Sequence, residues 1–345
     1  MKKKLYDFYY GLIAPTRSSI LLILTLVFLF FTILTGISEH TFSRFFYFYP
    51  GINYVDETSY VYLNAVRSEE NNHSSYYDIF LVGASTFRET FLHEEYMQKT
   101  LEINYNVLAN VTDLTSTAQP WWLSRDLIDN FACGKNGVVV LASNIGRWGR
   151  FPFIYNNNFF TLPNRNENNF IHKQLENIKF RYQFTKNIFN FLMKKKGLQI
   201  DKFHHRHRYI KKSQSINTID RIQRNLKWSE FIIKNYEVNK TDIHNFLIEL
   251  VLNLQKCSKM KIILLGTPIN PEILDIPGMS DLMSAHKNMM RNIASDLNIV
   301  WYDFNDLDFN PANFYDHGHL HDYFAISRSS EYLTNIIGNT IIEGE

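Results

Sequence analysis

The chain has 345 residues, of which 45% are hydrophobic and 15% aromatic, a composition that excludes disorder over most of its length and allows a sizeable core. Its 36 Lys and Arg nearly balance 34 Asp and Glu, and a net charge of +2 does not indicate nucleic-acid binding. Two cysteines, Cys133 and Cys257, exclude a disulfide-dense scaffold and a cysteine-rich zinc module. They could form one bridge in an oxidising compartment, but the sequence leaves open whether they meet.

The N-terminal segment predicts a membrane anchor. Residues 18–37 contain no charge and no proline, and a helix of this length, at ~1.5 Å per residue, spans a hydrocarbon core of ~30 Å. A buried soluble helix is disfavoured because the stretch has no strongly polar face, and a cleavable signal peptide because no small-x-small site follows it. Lysines at positions 2–4 and Arg17 precede the span, and the positive-inside rule then places the rest of the chain outside the cell membrane. We therefore expect a cytoplasmic tail at 1–17, a single-pass anchor at 18–37, a linker at 38–77 with an interfacial aromatic belt at 45–49, and a periplasmic or extracellular domain at 78–345.

Beyond the anchor, apolar runs alternate with helical patterns, which predicts an α/β fold with a mostly parallel sheet. The run at 138–142 is apolar on both faces, as in a parallel strand that is covered by helices. The predicted strands are 78–83, 103–109, 138–142, 262–265 and 299–302, and the predicted helices are 86–101, 120–131, 281–297 and 323–337.

An insert at about 145–240 interrupts this alternation. Its Asn-rich part, 156–169, predicts a long loop, and apolar residues at helical spacing after it predict core packing. The segment 194–212 holds eight Lys and Arg against one Asp, and we interpret it as a solvated loop. Contact with anionic lipid or an anionic envelope polymer is one alternative, and a metal site at His204, His205 and His207 is another.

Three segments at predicted strand ends carry candidate chemistry. Ser85 follows Gly83 where the first strand meets a helix, so its hydroxyl is exposed at the sheet edge beside a positive helix end, although serine there is also an ordinary N-cap. Asn144 follows the third strand, where its amide could donate to an oxyanion or simply shape a turn. Asp316 precedes His319 by three residues, so its carboxylate could orient an imidazole that faces the serine.

The last segment also allows a metal interpretation. His317, His319 and His321 alternate and are flanked by Asp316 and Asp322, which are ligand types for zinc or manganese. The three histidines would face one way only if this segment were an extended strand, whereas it lies at a predicted helix start. The metal interpretation is therefore the second one.

The order of the three segments resembles that of the SGNH (GDSL-type) hydrolase superfamily. There, a Gly-x-Ser follows the first strand, a Gly and an Asn that complete the oxyanion hole follow the second and third strands, and a closing D-x-x-H-L supplies Asp and His. The resemblance covers roughly 78–144 and 260–333, including the tract LLGTPINP at 264–271. It implies a three-layer α/β/α sandwich in which Ser85 is the nucleophile, His319 the base, Asp316 its orienting carboxylate and Asn144 an oxyanion donor.

The chain departs from that pattern in three places. Ala84 replaces the Asp of GDS, the loop at 112–117 contains no glycine, and the closing block lacks the usual Asn and Gly. The backbone N–H of Thr115 is our candidate for the missing second-strand donor. These losses leave open a catalytically inactive member of the superfamily.

The resemblance implies a membrane-anchored serine acyltransferase or esterase that needs no cofactor and no metal. It would act on O-acyl groups of a cell-envelope polysaccharide or a teichoic-acid-like polymer through an acyl-serine intermediate, with a membrane-bound O-acyltransferase as a possible partner. The alternatives are a non-catalytic glycan-binding or scaffold protein of the same fold and a His/Asp metal-dependent hydrolase.

Overall fold

The computed structural model describes residues 17–36, 57–70, 76–149, 174–182 and 218–343. The tail before residue 17, the aromatic segment 45–49, the Asn-rich loop 156–169 and the basic segment 194–212 lie outside these residues, together with most of the apolar stripe predicted after 170.

A five-stranded, all-parallel sheet forms the centre of the fold, which confirms the predicted α/β class. The strands are β1 (Tyr77–Val82), β2 (Ala109–Asp113), β3 (Asn136–Ser143), β4 (Lys259–Gly266) and β5 (Val300–Asp303), and they lie side by side in the order β2-β1-β3-β4-β5.

Helices connect the strands and cover the sheet. In chain order the α-helices are α1 (Arg17–Gly36), α2 (Glu57–Glu70), α3 (Ser85–Arg88), α4 (Glu94–Tyr105), α5 (Trp121–Phe131), α6 (Ile145–Trp148), α7 (174–182), α8 (Thr218–Cys257), α9 (Met279–Asp296) and α10 (Tyr323–Ile342). Short 3-10 turns lie at Pro271–Ile273, Phe304–Leu307 and Pro311–Asn313.

Alternate residues of the central strands enter two separate cores, because successive side chains of a strand point to opposite faces. On β1, Phe80 and Val82 pack with residues of α5, α8 and α9, whereas Ile79 and Leu81 pack with residues of α4 and α10. The sheet is therefore covered by helices on both faces, and its exposed edge for ligands is the carboxyl end of the strands.

The predicted second strand was misplaced. Residues 103–105 continue α4, where Ile103 is exposed to solvent, and the helix ends at Asn106, whose backbone adopts the left-handed conformation with φ 53°. Its N–H bonds to carbonyls of the last helical turn, a normal C-terminal cap. The strand begins only at Ala109, so the sequence 109–113 and not the β-branched residue at 103 forms β2. The helix predicted at 86–101 is likewise divided, into α3 and α4.

Helix α8, of 40 residues, was not predicted as an element, and its first half lies inside the predicted insert. Its buried side chains recur every three to four residues, which is the spacing of one helix face: Trp228, Ile232, Tyr236, Asn239, Ile243, Leu247 and Leu250. This face packs across the sheet from the site edge to the start of β4. The described end of the insert, residues 218–240, is therefore part of the helical layer over the sheet.

Cys133 and Cys257 form a disulfide, with their Cα atoms 5.0 Å apart. The bond joins the end of α5 to the end of α8, 124 positions further along the chain. It settles the pairing that the sequence left open.

The N-terminal segment is helical at Arg17–Gly36, and its described apolar side chains, at 20–29, are exposed. Among the residues whose side chains the structure describes, no helix is both long and apolar enough to cross a membrane. The membrane anchor at 18–37 stays a prediction.

Candidate functional site

The candidate site lies at the carboxyl edge of the sheet, where β1 is flanked by β2 and β3. The chain leaves β1 through Gly83 and Ala84 and enters α3 at Ser85. A Cβ on Gly83 would lie 2.8 Å from the Cβ of Ala142 and 3.0 Å from Cδ1 of Phe87. Only glycine therefore fits this turn, which brings Ser85 to the edge between the neighbouring strand ends.

Ser85 contacts an imidazole from the far end of the chain. Its Oγ lies 2.9 Å from Nε2 of His319, although 234 positions separate the two residues. Both side chains are buried. The structure thus brings together the predicted nucleophile and the predicted base within hydrogen-bonding distance.

The other imidazole nitrogen faces Asp316. Nδ1 of His319 lies 2.8 Å from Oδ1 and 2.9 Å from Oδ2 of this carboxylate. Oδ1 also accepts the backbone N–H groups of Gly318 and His319, each at 3.1 Å. Burial alone would raise the pKa of Asp316, but the charges of His317 and His319 and the hydrogen bonds from His319 and Gly318 outweigh it and hold the pKa well below its usual range. Asp316 is therefore ionised and can stabilise an imidazolium.

A closed loop holds this pair of residues. Phe314 and Leu320 form an isolated antiparallel bridge, and the N–H of Tyr315 donates to the carbonyl of His319 at 2.9 Å. From the neighbouring strand end, the N–H of Asn270 donates to the carbonyl of His317, and its side-chain amide donates to the carbonyl of Asp316. We call residues 314–320 the triad loop.

Asn144 lies next to Thr86, the residue that follows Ser85. Its Nδ2 donates to Oγ1 of Thr267 at 2.7 Å and to Oγ1 of Thr86 at 3.3 Å, and its Oδ1 accepts the N–H of Gly146 at 2.6 Å. The structure therefore places the predicted oxyanion donor beside the site, but with its amide already engaged by protein groups.

The turn after Asn144 is fixed by a buried guanidinium. Arg147 donates to the carbonyl of Ala142 at 2.8 Å and to Oγ of Ser124 at 2.7 Å, and it lies 3.7 Å over the ring of Trp121. Burial lowers the pKa of Arg147 to about 9, so the group stays protonated at neutral pH. These bonds fix the backbone that carries Asn144.

The segment after β2 contains the predicted donor Thr115. Its N–H donates to Oδ1 of Asp113 at 2.9 Å, so the donor is engaged within its own turn. The hydroxyls of Thr115 and Ser116 are buried, and neither has a hydrogen-bond partner among the described residues. Ser116 pairs in register with Ala84, the residue before Ser85, and its N–H donates to the carbonyl of Gly83. Sequence reasoning missed Ser116, since only the strand register brings it beside β1.

The alternating histidines do not form one ligand set in the described part of the chain. Ligand atoms of Asp316, His317 and His319 lie within 4.8 Å of one another. Asp322, in contrast, caps α10 by accepting the N–H of Ala325 at 2.9 Å, and His321 does not join the group, its pKa lowered mainly by burial. His319 also contacts Ser85, and Asp316 contacts His319, so a bound metal would compete with these two contacts.

Sequence reasoning also missed Trp228, an aromatic side chain that borders the site. Trp228 of α8 stacks on His317, with ring centroids 4.4 Å apart and an interplanar angle of 13°. The signal was present in the helical spacing of α8, but nothing in the sequence indicated which loop that helix would cover.

No known family model matches the chain, and no curated protein matches it either.

Proposed function

We propose that this protein is a serine acyltransferase or esterase of the SGNH type that forms an acyl-serine intermediate. One observation carries the proposal, namely the continuous contact from Ser85 through His319 to Asp316. A nucleophile, a base and an orienting carboxylate in this arrangement meet the requirement for activating a serine hydroxyl.

The geometry suggests the following steps. Oγ of Ser85 attacks the carbonyl carbon of an acyl ester while Nε2 of His319 takes the serine proton. The imidazolium is stabilised by the ionised Asp316 at Nδ1. When the tetrahedral intermediate collapses, the ester C–O bond breaks, and the leaving alkoxide takes the proton from His319. An acceptor hydroxyl then loses its proton to His319 and attacks the acyl-serine carbonyl. The bond between the acyl carbon and Oγ breaks, and His319 returns the proton to Oγ of Ser85. The acceptor is water in an esterase and a sugar or polymer hydroxyl in a transferase.

The all-parallel sheet and the order of Ser85, Asn144 and Asp316–His319 at strand ends support the SGNH assignment and the three-layer α/β/α sandwich that it implies. In this proposal the acceptor or donor is an envelope polysaccharide or a teichoic-acid-like polymer, and a membrane-bound O-acyltransferase is the partner that supplies acyl groups. The proposal includes a single-pass anchor at 18–37 with its N-terminus in the cytoplasm. The Cys133–Cys257 disulfide supports the outward orientation, because such bonds persist in oxidising compartments.

A second candidate function is a metal-dependent hydrolase, favoured by the cluster of Asp316, His317 and His319. Its chemistry would be activation of a water molecule by the ion, with no need for a serine. It ranks second because His319 already contacts both Asp316 and Ser85. The third possibility, a non-catalytic glycan-binding or scaffold protein, predicts no turnover at all.

Fluorophosphonate labelling and hydrolysis of an activated acetyl ester distinguish these functions. We expect wild type to be labelled once, at Ser85, and Ser85→Ala to lose labelling and at least ~10⁴-fold in turnover. Ser284→Ala is the control, since this helical serine bonds only within its own turn to the carbonyl of Ser280 and should leave both readouts unchanged. Loss of activity on chelation, with activity retained in Ser85→Ala, would establish the metal mechanism instead. A wild type without labelling or turnover would favour the non-catalytic alternative.

A further inference from the structure

We propose that Trp228 is a positioning residue that joins the triad loop to residues 144–148, the Asn144 turn, so that the insert-derived helix α8 completes the site. The inference rests on the proposed function. It gives a role to the part of the insert that the structure describes, which has no counterpart in the resemblance.

The first contact is with the triad loop. The indole of Trp228 and the imidazole of His317 are stacked nearly parallel, and the indole is 8% exposed. His317 adjoins the orienting carboxylate, since its Nδ1 lies 3.6 Å from Oδ1 of Asp316. Displacement of the His317 ring would therefore move the loop between Asp316 and His319.

The second contact is with the Asn144 turn. A Cβ on Gly146 would lie 3.2 Å from Cζ2 and 3.4 Å from Nε1 of Trp228, so the indole packs directly against the backbone of Gly146. The N–H of Gly146 donates to Oδ1 of Asn144 at 2.6 Å. One rigid ring thus touches both segments that flank Ser85.

Helix α8 is held in place at its neighbouring turns. Four residues before Trp228, Arg224 donates to the hydroxyl of Tyr315 in the triad loop at 3.1 Å. One turn earlier, Arg221 makes a two-point ion pair with Glu272, at 2.6 and 3.2 Å. These contacts fix the position of α8 relative to the triad loop, and with it the position of the Trp228 ring.

The consequence for catalysis is geometric. Attack on an acyl carbon requires reacting groups held to within a fraction of an ångström, and small misplacements by distant substitutions can cost ~10²-fold in rate. Loss of the indole would allow both segments to shift relative to Ser85. A small ester makes no contact that depends on Trp228 in this proposal, so kcat should fall while KM changes little.

The experiment compares Trp228→Leu, Trp228→Phe and Leu247→Ala in the intact protein. Leu247 is a fully buried residue about five turns further along the same face of α8, so Leu247→Ala controls for the loss of buried side-chain volume from the same helix. We expect Trp228→Leu to lower kcat for an activated acetyl ester about 10- to 100-fold with KM within about threefold. Trp228→Phe keeps a ring for His317 and should recover kcat to within about threefold of wild type, and Leu247→Ala should keep kcat within the same range.

Active-site titration separates positioning from unfolding. With a fluorophosphonate, Trp228→Leu should reach the same final labelling per chain as wild type but more slowly, since a misfolded fraction would lower the final value instead. Equal kcat losses in Trp228→Leu and Leu247→Ala, or labelling of Trp228→Leu at the wild-type rate, would overturn the inference. A wild type that is not labelled at all would refute the proposed function itself, which keeps the two failures distinct.

Discussion

The two sides of Ser85 differ in how they are prepared for the proposed reaction. On the His319 side, Oγ of Ser85, both imidazole nitrogens and both oxygens of Asp316 are within 2.9 Å of a partner in the catalytic sequence. On the Asn144 side, the amide donates to Thr267 and Thr86, and the N–H of Thr115 donates to Asp113. The base is thus already assembled, whereas the candidate oxyanion donors are engaged with the protein.

This difference indicates that a substrate must replace an existing hydrogen bond only on the Asn144 side. Transition-state stabilisation requires donors aimed at the developing oxyanion, and the longer of the two bonds from Asn144, 3.3 Å to Thr86, is the one that a substrate oxygen can replace at least cost. The triad side needs no such exchange. We therefore expect the His319 side to give the larger mutational effects and the Asn144 side to give smaller ones.

After Ser85→Ala, the largest effect is expected for Asp316→Asn. An amide offers one oxygen where the carboxylate offers two, and its NH₂ group cannot accept the Nδ1–H of His319, so the imidazole would adopt the wrong tautomer. Turnover of an activated acetyl ester should fall about 10⁴-fold but stay above the uncatalysed rate, because substrate binding and the oxyanion donors remain.

Asp322→Asn is the matched control for that substitution. Asp322 caps α10 through the N–H of Ala325, and asparagine caps helices about as well, so activity should stay within about twofold. If Asp316→Asn retained more than a tenth of wild-type activity, the orienting role of Asp316 would be excluded.

A smaller loss, about 10²- to 10³-fold in kcat, is expected for Asn144→Ala, as for removal of one oxyanion donor. Asn144→Asp is the sharper variant because it keeps the shape of the side chain and its bond to Gly146 but cannot donate when ionised. In both variants a fluorophosphonate should still label Ser85, whereas turnover of the acetyl ester should be slow. Wild-type kcat in Asn144→Asp would show that this amide is a structural group of the turn.

The residues of the His319 side could be predicted from the sequence, because they lie in short segments that directly follow or precede recognisable strands and helices. Gly83, Ser85, Asp316 and His319 lie where the strand ends and their spacing place them, and four of the five strands fall where apolar runs predict them, within a few residues at each end. The second strand is the exception. Ile103 favours a strand by its side chain, but the helical turn before Asn106 continues through it.

The Asn144 side could not be derived in the same way. The engagement of the Thr115 N–H depends on an Asp two residues earlier that folds back onto it, and the nearness of Ser116 to Ala84 depends on the register between β1 and β2. Trp228 reaches the site only because α8 is docked by contacts between residues 47 to 91 positions apart, such as those of Arg224 and Asn225. Such long-range contacts leave no local sequence pattern.

The smallest effect is expected for Thr115→Ala, and it decides which atom of this residue matters. Our sequence prediction assigns the backbone N–H as an oxyanion donor, and the substitution leaves this group and its bond to Asp113 in place. The hydroxyl that is removed is buried and has no hydrogen-bond partner within the described residues, so its loss leaves no other group unsatisfied. We expect kcat and KM for the acetyl ester to stay within about threefold of wild type, whereas the loss of one donor to an oxyanion costs about 10²–10³-fold.

Ser116→Ala, measured beside it, removes the neighbouring unpartnered hydroxyl, which lies in register with Ala84. If Thr115→Ala instead lowered kcat about 10²-fold while Ser116→Ala did not, the hydroxyl of Thr115 would be the donor on this side, and the contrast between a prepared base and an unprepared oxyanion site would disappear.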